Sequence, residues 1–548
     1  MASETTTETE DPTGRAVAEI EVALAASDWR KVYDITNRAI SRGLRHPLFF
    51  MMRAQRMEET GHLQFALEDY QRAAAIAPDD ARIHEAVGLC ALKQKNYKTA
   101  VAAYDAALRA GGATPDIYYR RGVALANLGD HESAQASHEQ ALALDPNYAN
   151  ALGSLASITA RKGELDKARQ FAKDALSAAP QHPTAVVATV QADMSERRFT
   201  DAEAKLSELL AGTAVLPANR PALITMLGDT LDGQKRYAEA FATYTRANDE
   251  LRRLHAADFG GGLGSEAARN LVVYFENEKP ERWRAPDDGG AIEGAFEGHV
   301  FLLGFMRSGT TLLEQVLASN PEIVALEEKG LLAQPGDQYL SGLAELEDLA
   351  NIDGENLAKA RREYWQRVRG HLPESKSRIF VDKQPLNTTK LPLIAKLFPK
   401  ARILFAVRDP RDVVFSCFRR HLNINATQYE FLSIESCARM YGLVMRLGEI
   451  GREKLPLNVL EHRYEAMVED FDGRVRAVCD FIGVEWAETM REFDKQTSVA
   501  DLRSPSATQV RRPLYGEGIG QWRRYAEQLA PVLPILEPWV EKFGYPID

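Results

Sequence analysis

One spacing constrains this chain more than any other. Ala66, Tyr70 and Ala73 are followed by Ala100, Tyr104 and Ala107, then Ala134, His138 and Ala141, then Ala168, Ala172 and Ala175. Each step, from 66 to 100 to 134 to 168, is 34 residues. Pro78, Pro146 and Pro180 keep that phase, as do Gly88 with Gly122, and Gly61 with Gly129 and Gly163. Small residues flanking one bulky residue are what two closely crossing helices need, because the bulky side chain fills the space the small ones leave. The proline follows the second helix and stops it. Weaker copies flank the strong ones: Val32, Thr36 and Ala39 before, Ala202, Leu206 and Leu209 after, then Ala240, Tyr244 and Ala247 after a slightly longer step.

Period and pattern resemble the tetratricopeptide repeat, a helix–turn–helix unit that buries its apolar face only by stacking on its neighbours. The expected organisation is a disordered N-terminus over 1–13, an α-solenoid of such repeats over 14–255, a linker and lead-in over 256–294, and a second domain over 295–548. The linker expectation rests on GGGLGS at 260–265 and EKPERWRAPDDGG at 278–290. Beyond it the pattern changes to short apolar runs alternating with helical stretches. HVFLLG (299–304), RIFV (378–381), ARILFAV (401–407) and LNVLEHRY (457–464) read as strands, and 311–318 and 410–420 as helices. Such alternation predicts an α/β domain with a parallel sheet covered on both faces.

The sharpest motif is LGFMRSGTTLL at 303–313, a loop between an apolar strand and an apolar helix. A helix N-terminus in that setting aims backbone N–H groups at an anion. Gly304 and Gly309 have the spacing of a nucleotide-binding P-loop, but position 310 is threonine where a nucleoside triphosphatase carries lysine. That lysine reaches the β- and γ-phosphates. A donor with one phosphate beside its reactive group does not need it, and Arg307 supplies a cation inside the loop. The missing lysine, with no evident metal-binding aspartate after a strand, weighs against a P-loop kinase.

RSGTT after a strand resembles the 5′-phosphosulfate-binding loop of sulfotransferases. With PEIVALEE at 321–328, it is most similar to the tyrosylprotein sulfotransferase branch, over roughly 295–530. The resemblance implies a P-loop-like parallel-sheet sulfotransferase domain using 3′-phosphoadenosine 5′-phosphosulfate, with adenosine 3′,5′-bisphosphate as product and no metal. Arg307, Ser308, Gly309, Thr310 and Thr311 would form the phosphosulfate loop. In VRDPRDVVFSCFRRH (407–421), Arg408 and Ser416 match the pair that holds the donor's 3′-phosphate, and Arg420 lies one helical turn beyond Ser416. A guanidinium gives a permanent, bidentate grip on phosphate.

Glu328 stands 21 residues after Arg307, in the register of the branch's catalytic base, with Glu327 beside it. Lys383, in DKQP, matches the lysine that grips the transferred group. Ser506 matches the active-site serine, Tyr464 an aromatic near the nucleotide, and Arg511 and Arg512 could close over the donor. Gln521 departs from the branch, which has lysine there; Arg512 or Arg523 would substitute. His371, His421 and His462 sit in no motif that matches a histidine base.

The acceptor implied is a hydroxyl, with tyrosine in a peptide or protein as first candidate. A carbohydrate or small molecule is the alternative, and a repeat scaffold with an inactive nucleotide-binding domain is the alternative of another class. The repeats would bind protein, as substrate or partner. The net charge of −11 argues against nucleic acid. MASETTTETEDPTG lacks the basic and apolar segments of a signal peptide, and no run approaches 18 apolar residues. Cys90, Cys417, Cys437 and Cys479 form no CxxC pair, as in a reducing compartment. A cytoplasmic location with no membrane association is expected.

Overall fold

The computed structural model describes residues 11–284, 292–420, 424–496 and 518–547. The chain divides into two compact units, Met1–Lys205 and Leu206–Asp548.

The first unit is a stack of helical hairpins. It begins with Pro12–Ala25 and Trp29–Ser41, runs through Ala81–Lys93 with Tyr97–Arg109 and Pro115–Leu128 with His131–Leu144, and ends within Phe199–Ala211. Acidic and amide side chains cap the second helices: Asp28 accepts from the Lys31 N–H, Asn96 from Thr99 and Asp130 from Ser133. The repeat logic is visible atom by atom. A methyl group added at Gly88 would lie 2.7 Å from the Tyr104 ring, and one added at Gly122 would lie 2.5 Å from the His138 ring. In the next copy both positions are alanine, Ala156 and Ala172, and both are fully buried. Bulk on one helix is matched by its lack on the other, which is why the period shows in the sequence.

The second unit is built on a five-stranded sheet of order β2-β3-β1-β4-β5, with every pair parallel. The strands are β1 (Gly298–Gly304), β2 (Ile323–Glu327), β3 (Ile379–Lys383), β4 (Arg402–Val407) and β5 (Asn458–Arg463). On one face, Val300, Leu302, Val381 and Leu404 pack against Leu313, Val316 and Leu317 and against Val475, Val478 and Ile482. On the other face lie Phe301, Phe380 and Phe405; helix Ile434–Lys454 approaches so closely that a methyl at Gly448 would lie 2.7 Å from the Phe405 ring. Burial on both faces explains why the inner strands read as continuous apolar runs. β2 carries the apolar run IVAL (323–326) too, but as an edge strand only part of it is buried, and sequence reading takes PEIVALEE as a motif and not as a strand.

The stretch expected as linker contains helix Leu263–Asn277, whose apolar stripe Ala268, Leu271, Val272 and Phe275 is buried. The glycines at 260–262 are a turn into that helix. No helix of the described residues is long and apolar enough to cross a membrane.

The second unit also contains the last helical hairpin, Arg220–Gly233 with Tyr237–Phe259. It lies against the helix Pro410–Phe418 that follows β4. The Asn248 side chain donates to the Phe418 carbonyl at 2.9 Å, and Phe241 stacks on Phe418 with ring centroids 5.1 Å apart. Tyr525 donates its hydroxyl to Asp232, and Arg420 pairs with Asp229 at 2.8 Å. A chain beginning near Pro217 is therefore expected to stay soluble and to keep the fold of the second unit. A chain beginning near 265 strips Phe418, Phe415 and Tyr525 of their cover. At roughly 1.5–3 kcal/mol for each buried aromatic side chain uncovered, it should unfold at lower denaturant. Equal denaturant midpoints for the two truncations would show that the hairpin contributes nothing.

Candidate active site

β1 lies between β3 and β4, so their C-terminal ends bring the segments after Gly304, Lys383 and Val407 to one edge of the sheet. The chain passes from β1 to one side for β2 and β3 and to the other side for β4. Crevices at such a reversal are where open α/β sheets bind ligands.

The loop 305–309 is held at both ends. Thr388 Oγ1 accepts the Gly304 N–H at 3.2 Å and donates to the Gly304 carbonyl at 2.8 Å. Helix Thr310–Ala318 starts from Gly309 at φ 89°, a left-handed conformation suited to glycine, and no side chain caps the helix there. A side chain at 309 would also meet the Tyr464 ring at 2.5 Å. Arg307 itself has φ 66°, unusual outside glycine and a form of strain that gathers at functional sites.

Around this loop the structure gathers positive charge. The Arg307 Nε donates to Ser416 Oγ at 3.0 Å. Arg408 donates to the Arg307 carbonyl at 3.1 Å and to the Gly518 carbonyl, and its guanidinium lies 4.9 Å from the Tyr464 ring centre. Arg408 Nε is buried without a hydrogen-bond partner among the described residues. Burial pushes the Arg307 guanidinium down to about 10; Cys417 works against this, and the like charges of Arg420, Arg408 and Arg419 add to it. A partly buried guanidinium crowded by three others is a concentration of positive charge.

The fold thus brings Arg307, Gly309, Arg408, Ser416 and Tyr464 together. Arg420 is near enough to act on Arg307, but it is also ion-paired to Asp229 of the last hairpin. Arg419, which sequence reading passed over for Arg420, is buried and donates to Gln521 Oε1 at 2.8 Å. The departure at Gln521 is therefore matched by an arginine reaching that position from another segment. The signal was present only as the RR pair at 419–420. The segment around Gln521 is fastened by Asp412, whose carboxylate accepts the N–H groups of Gly520 and Trp522 at 2.7 and 2.8 Å. Ser506, Arg511 and Arg512 lie outside the described residues, as does His421. His462 is buried in β5, and burial holds it down to about 4.

The other half of the site centres on Lys383, the last residue of β3 and fully buried. Its Nζ donates to Glu327 Oε1 and to Glu328 Oε1, both at 3.0 Å, and lies 3.5 Å from Thr311 Oγ1 and 3.4 Å from Glu314 Oε2. Burial alone would lower the lysine; the three carboxylates outweigh it and raise it above its ordinary value. Glu328 has φ 48° and extends the ladder by donating its N–H to the Lys383 carbonyl at 2.9 Å. That turn leaves the Glu328 side chain 38% exposed against 14% for Glu327. Glu314 was not anticipated. In the sequence it is one polar residue on an apolar helix, and only the fold sets it against Lys383.

The site thus joins a strand–loop–helix turn lined with arginines to a buried lysine–carboxylate cluster. Residues 299–488 match the sulfotransferase family, 51–115 the tetratricopeptide repeat, and 122–249 the middle TPR-like domain of cilia and flagella-associated protein 70. The chain thus joins tetratricopeptide repeats to a sulfotransferase-family domain. Among curated relatives, an uncharacterized protein of Aquifex aeolicus is 25% identical over 425 residues, spanning 73% of this chain and 52% of that protein. Protein-tyrosine sulfotransferase A of Caenorhabditis elegans is 23% identical over 317 residues (56% of this chain, 80% of that protein), and protein-tyrosine sulfotransferase 2 of Gallus gallus is 25% identical over 240 (41% and 62%). The chain spans about half the length of the Aquifex relative.

Proposed function

We propose that the second unit moves a sulfuryl group from 3′-phosphoadenosine 5′-phosphosulfate to a hydroxyl, with tyrosine in a peptide or protein as the acceptor, and that the repeats bind that protein or a partner. The observation that carries this reading is the cluster of the partly buried Arg307 and Arg408 with the buried Arg419 and Ser416, beside an uncapped loop helix. It offers more positive charge than a single phosphate needs, and it suits a donor phosphorylated at both 3′ and 5′ positions.

The residues present fit that donor. The loop and Arg307 take the 5′-phosphosulfate; Arg408 and Ser416 take the 3′-phosphate. The donor supplies the sulfuryl group. A bond forms from the acceptor oxygen to sulfur as the bond from sulfur to the 5′-phosphate oxygen breaks, and the bisphosphate leaves. Glu328 takes the acceptor's proton, and Lys383 and Arg307 hold the negative charge that spreads over the transferred and leaving groups. The tyrosine acceptor draws its support from the relatives' names and from a base that is a glutamate.

Calorimetry should show tight binding of adenosine 3′,5′-bisphosphate and much weaker binding of AMP, which lacks the 3′-phosphate; equal affinities would sink the assignment. Arg408→Ala should weaken the bisphosphate by about 1.5–3 kcal/mol, the usual cost of a charge-assisted phosphate contact. With a radiolabelled sulfuryl donor and fractionated lysate, label should enter protein on tyrosine. Label confined to glycan or small molecules would replace the acceptor and leave the donor assignment standing.

A further inference from the structure

We propose that Glu314 is a positioning residue for the donor: as a neutral acid it leaves the Lys383 ammonium for the anionic end of the donor, and as a carboxylate it draws that ammonium back into the helix. The inference rests on the donor reading above and adds a proton to it.

Glu314 lies in the second turn of helix Thr310–Ala318, the helix whose first turn follows the phosphate loop. It is 2% exposed, and its Oε2 is 3.4 Å from Lys383 Nζ, yet that oxygen is buried with no hydrogen-bond partner among the described residues. The reason is that the ammonium is already engaged. Two of its protons go to Glu327 and Glu328, and Thr311 Oγ1 is the remaining neighbour. With all three carboxylates ionised, one lysine would face three negative charges where an anionic donor must bind. Keeping Glu314 protonated removes one of them.

The groups acting on Glu314 agree with that. Burial pushes its carboxyl up to about 8; Lys383 from β3 opposes this, and Glu327 at the end of β2 and Glu328 just beyond add to it. The 3₁₀ turn Glu488–Glu492 packs at the far end of the helix, where Thr489 donates to the Ser319 carbonyl. β1, the other strand against this helix, ends in the loop that carries Arg307.

The consequence is a proton linked to donor binding. The test uses the full-length chain and adenosine 3′,5′-bisphosphate, whose phosphates, with second pKa values of about 6, stay ionised from pH 7 to 9.5. The wild type should bind about five- to tenfold more weakly at pH 9.5 than at pH 7, as expected if the bound anion raises the acid by roughly one unit. At pH 8 its binding should take up protons, seen as a heat that varies with the ionisation enthalpy of the buffer. Glu314→Gln should bind with little dependence on pH and take up no proton. Glu314→Met, neutral and unbranched, should do the same if the glutamine variant folds poorly. Burial holds the Arg307 guanidinium down to about 10, and any loss of its charge at the upper end of the range is common to all profiles. A wild type that binds equally at both pH values, or a Glu314→Gln profile with the wild-type slope, overturns the proposal. Arg408→Ala separates the two levels: it should weaken binding at every pH and keep the slope. If it binds as wild type does, or if the wild type does not bind the bisphosphate, the donor site itself is misassigned.

Discussion

Glu328→Gln is expected to leave bisphosphate affinity near wild type and to lower turnover about 10²–10⁴-fold, the usual effect of removing a general base. A hydroxyl becomes a good nucleophile for sulfur only as its proton leaves, so a carboxylate within hydrogen-bond reach is what the step needs. Glu327 and Glu328 make equal 3.0 Å contacts to Lys383, so distance to the lysine does not tell them apart. The backbone does. Glu327 ends β2 in register with Lys383, while Glu328 turns out of the strand at φ 48° with its side chain 38% exposed. An acceptor arriving from solvent meets Glu328 first. Glu327→Gln should therefore change turnover much less. If the Glu327 variant is the inactive one, the base assignment moves by one residue. If neither matters, the glutamate mechanism falls, and with it much of the support for a peptide acceptor.

Lys383→Met should have the largest effect of any single change, on stability as well as turnover. It leaves Glu314, Glu327 and Glu328 around a space with no cation, and removing one partner of a buried ion pair costs about 3–5 kcal/mol. The half-exposed Glu328 should contribute least to that cost, because water screens it. The loss has a definite pH dependence. Without the lysine, whose charge opposes the upward push of burial, the Glu314 carboxyl stands further above its unfolded value, which lies near 4.3 for glutamate. Groups raised in the folded state favour folding below the unfolded value, and that advantage disappears as pH rises through the folded one. The denaturant midpoint of Lys383→Met should thus fall well short of wild type at pH 7.5, with the gap narrowing at pH 5. A gap of the same size at both pH values would mean that the defect is lost packing rather than stranded charge.

What could be read from the sequence was whatever has a short period or a contiguous motif. A Gly88 that must sit under Tyr104, repeated as Gly122 under His138, imposes a 34-residue spacing because neighbouring copies solve the same packing problem. Strands buried on both faces announce themselves as apolar runs, and RSGTT lies between one of them and a helix, so the loop and its place in the fold were legible together. β2 was not read as a strand although IVAL is an apolar run, because four such residues do not by themselves tell a strand from the end of a helix. Nor was the helix Leu263–Asn277, whose amphipathic stripe sits behind three glycines that read as linker.

Tertiary structure decided the rest, since electrostatics depends on distance in space and not along the chain. Lys383 and Glu314 are 69 positions apart in the sequence, and the parallel pairing of β2, β3 and β1 is what sets the lysine among three carboxylates. Arg419 reaches Gln521 only because Asp412 fastens the backbone at 520 and 522 to the helix after β4. The last hairpin carries the same small-and-bulky pattern as the other repeats, with Gly228 under Tyr244. Yet its Asp229 and Asp232 are spent on Arg420 and Tyr525 of the sulfotransferase-family domain. The sequence by itself determined that helical repeats precede a parallel-sheet α/β domain. Which hairpin packs on the helix after β4, and which charges share the lysine, were decided by packing, because a buried charge is defined by its neighbours in space.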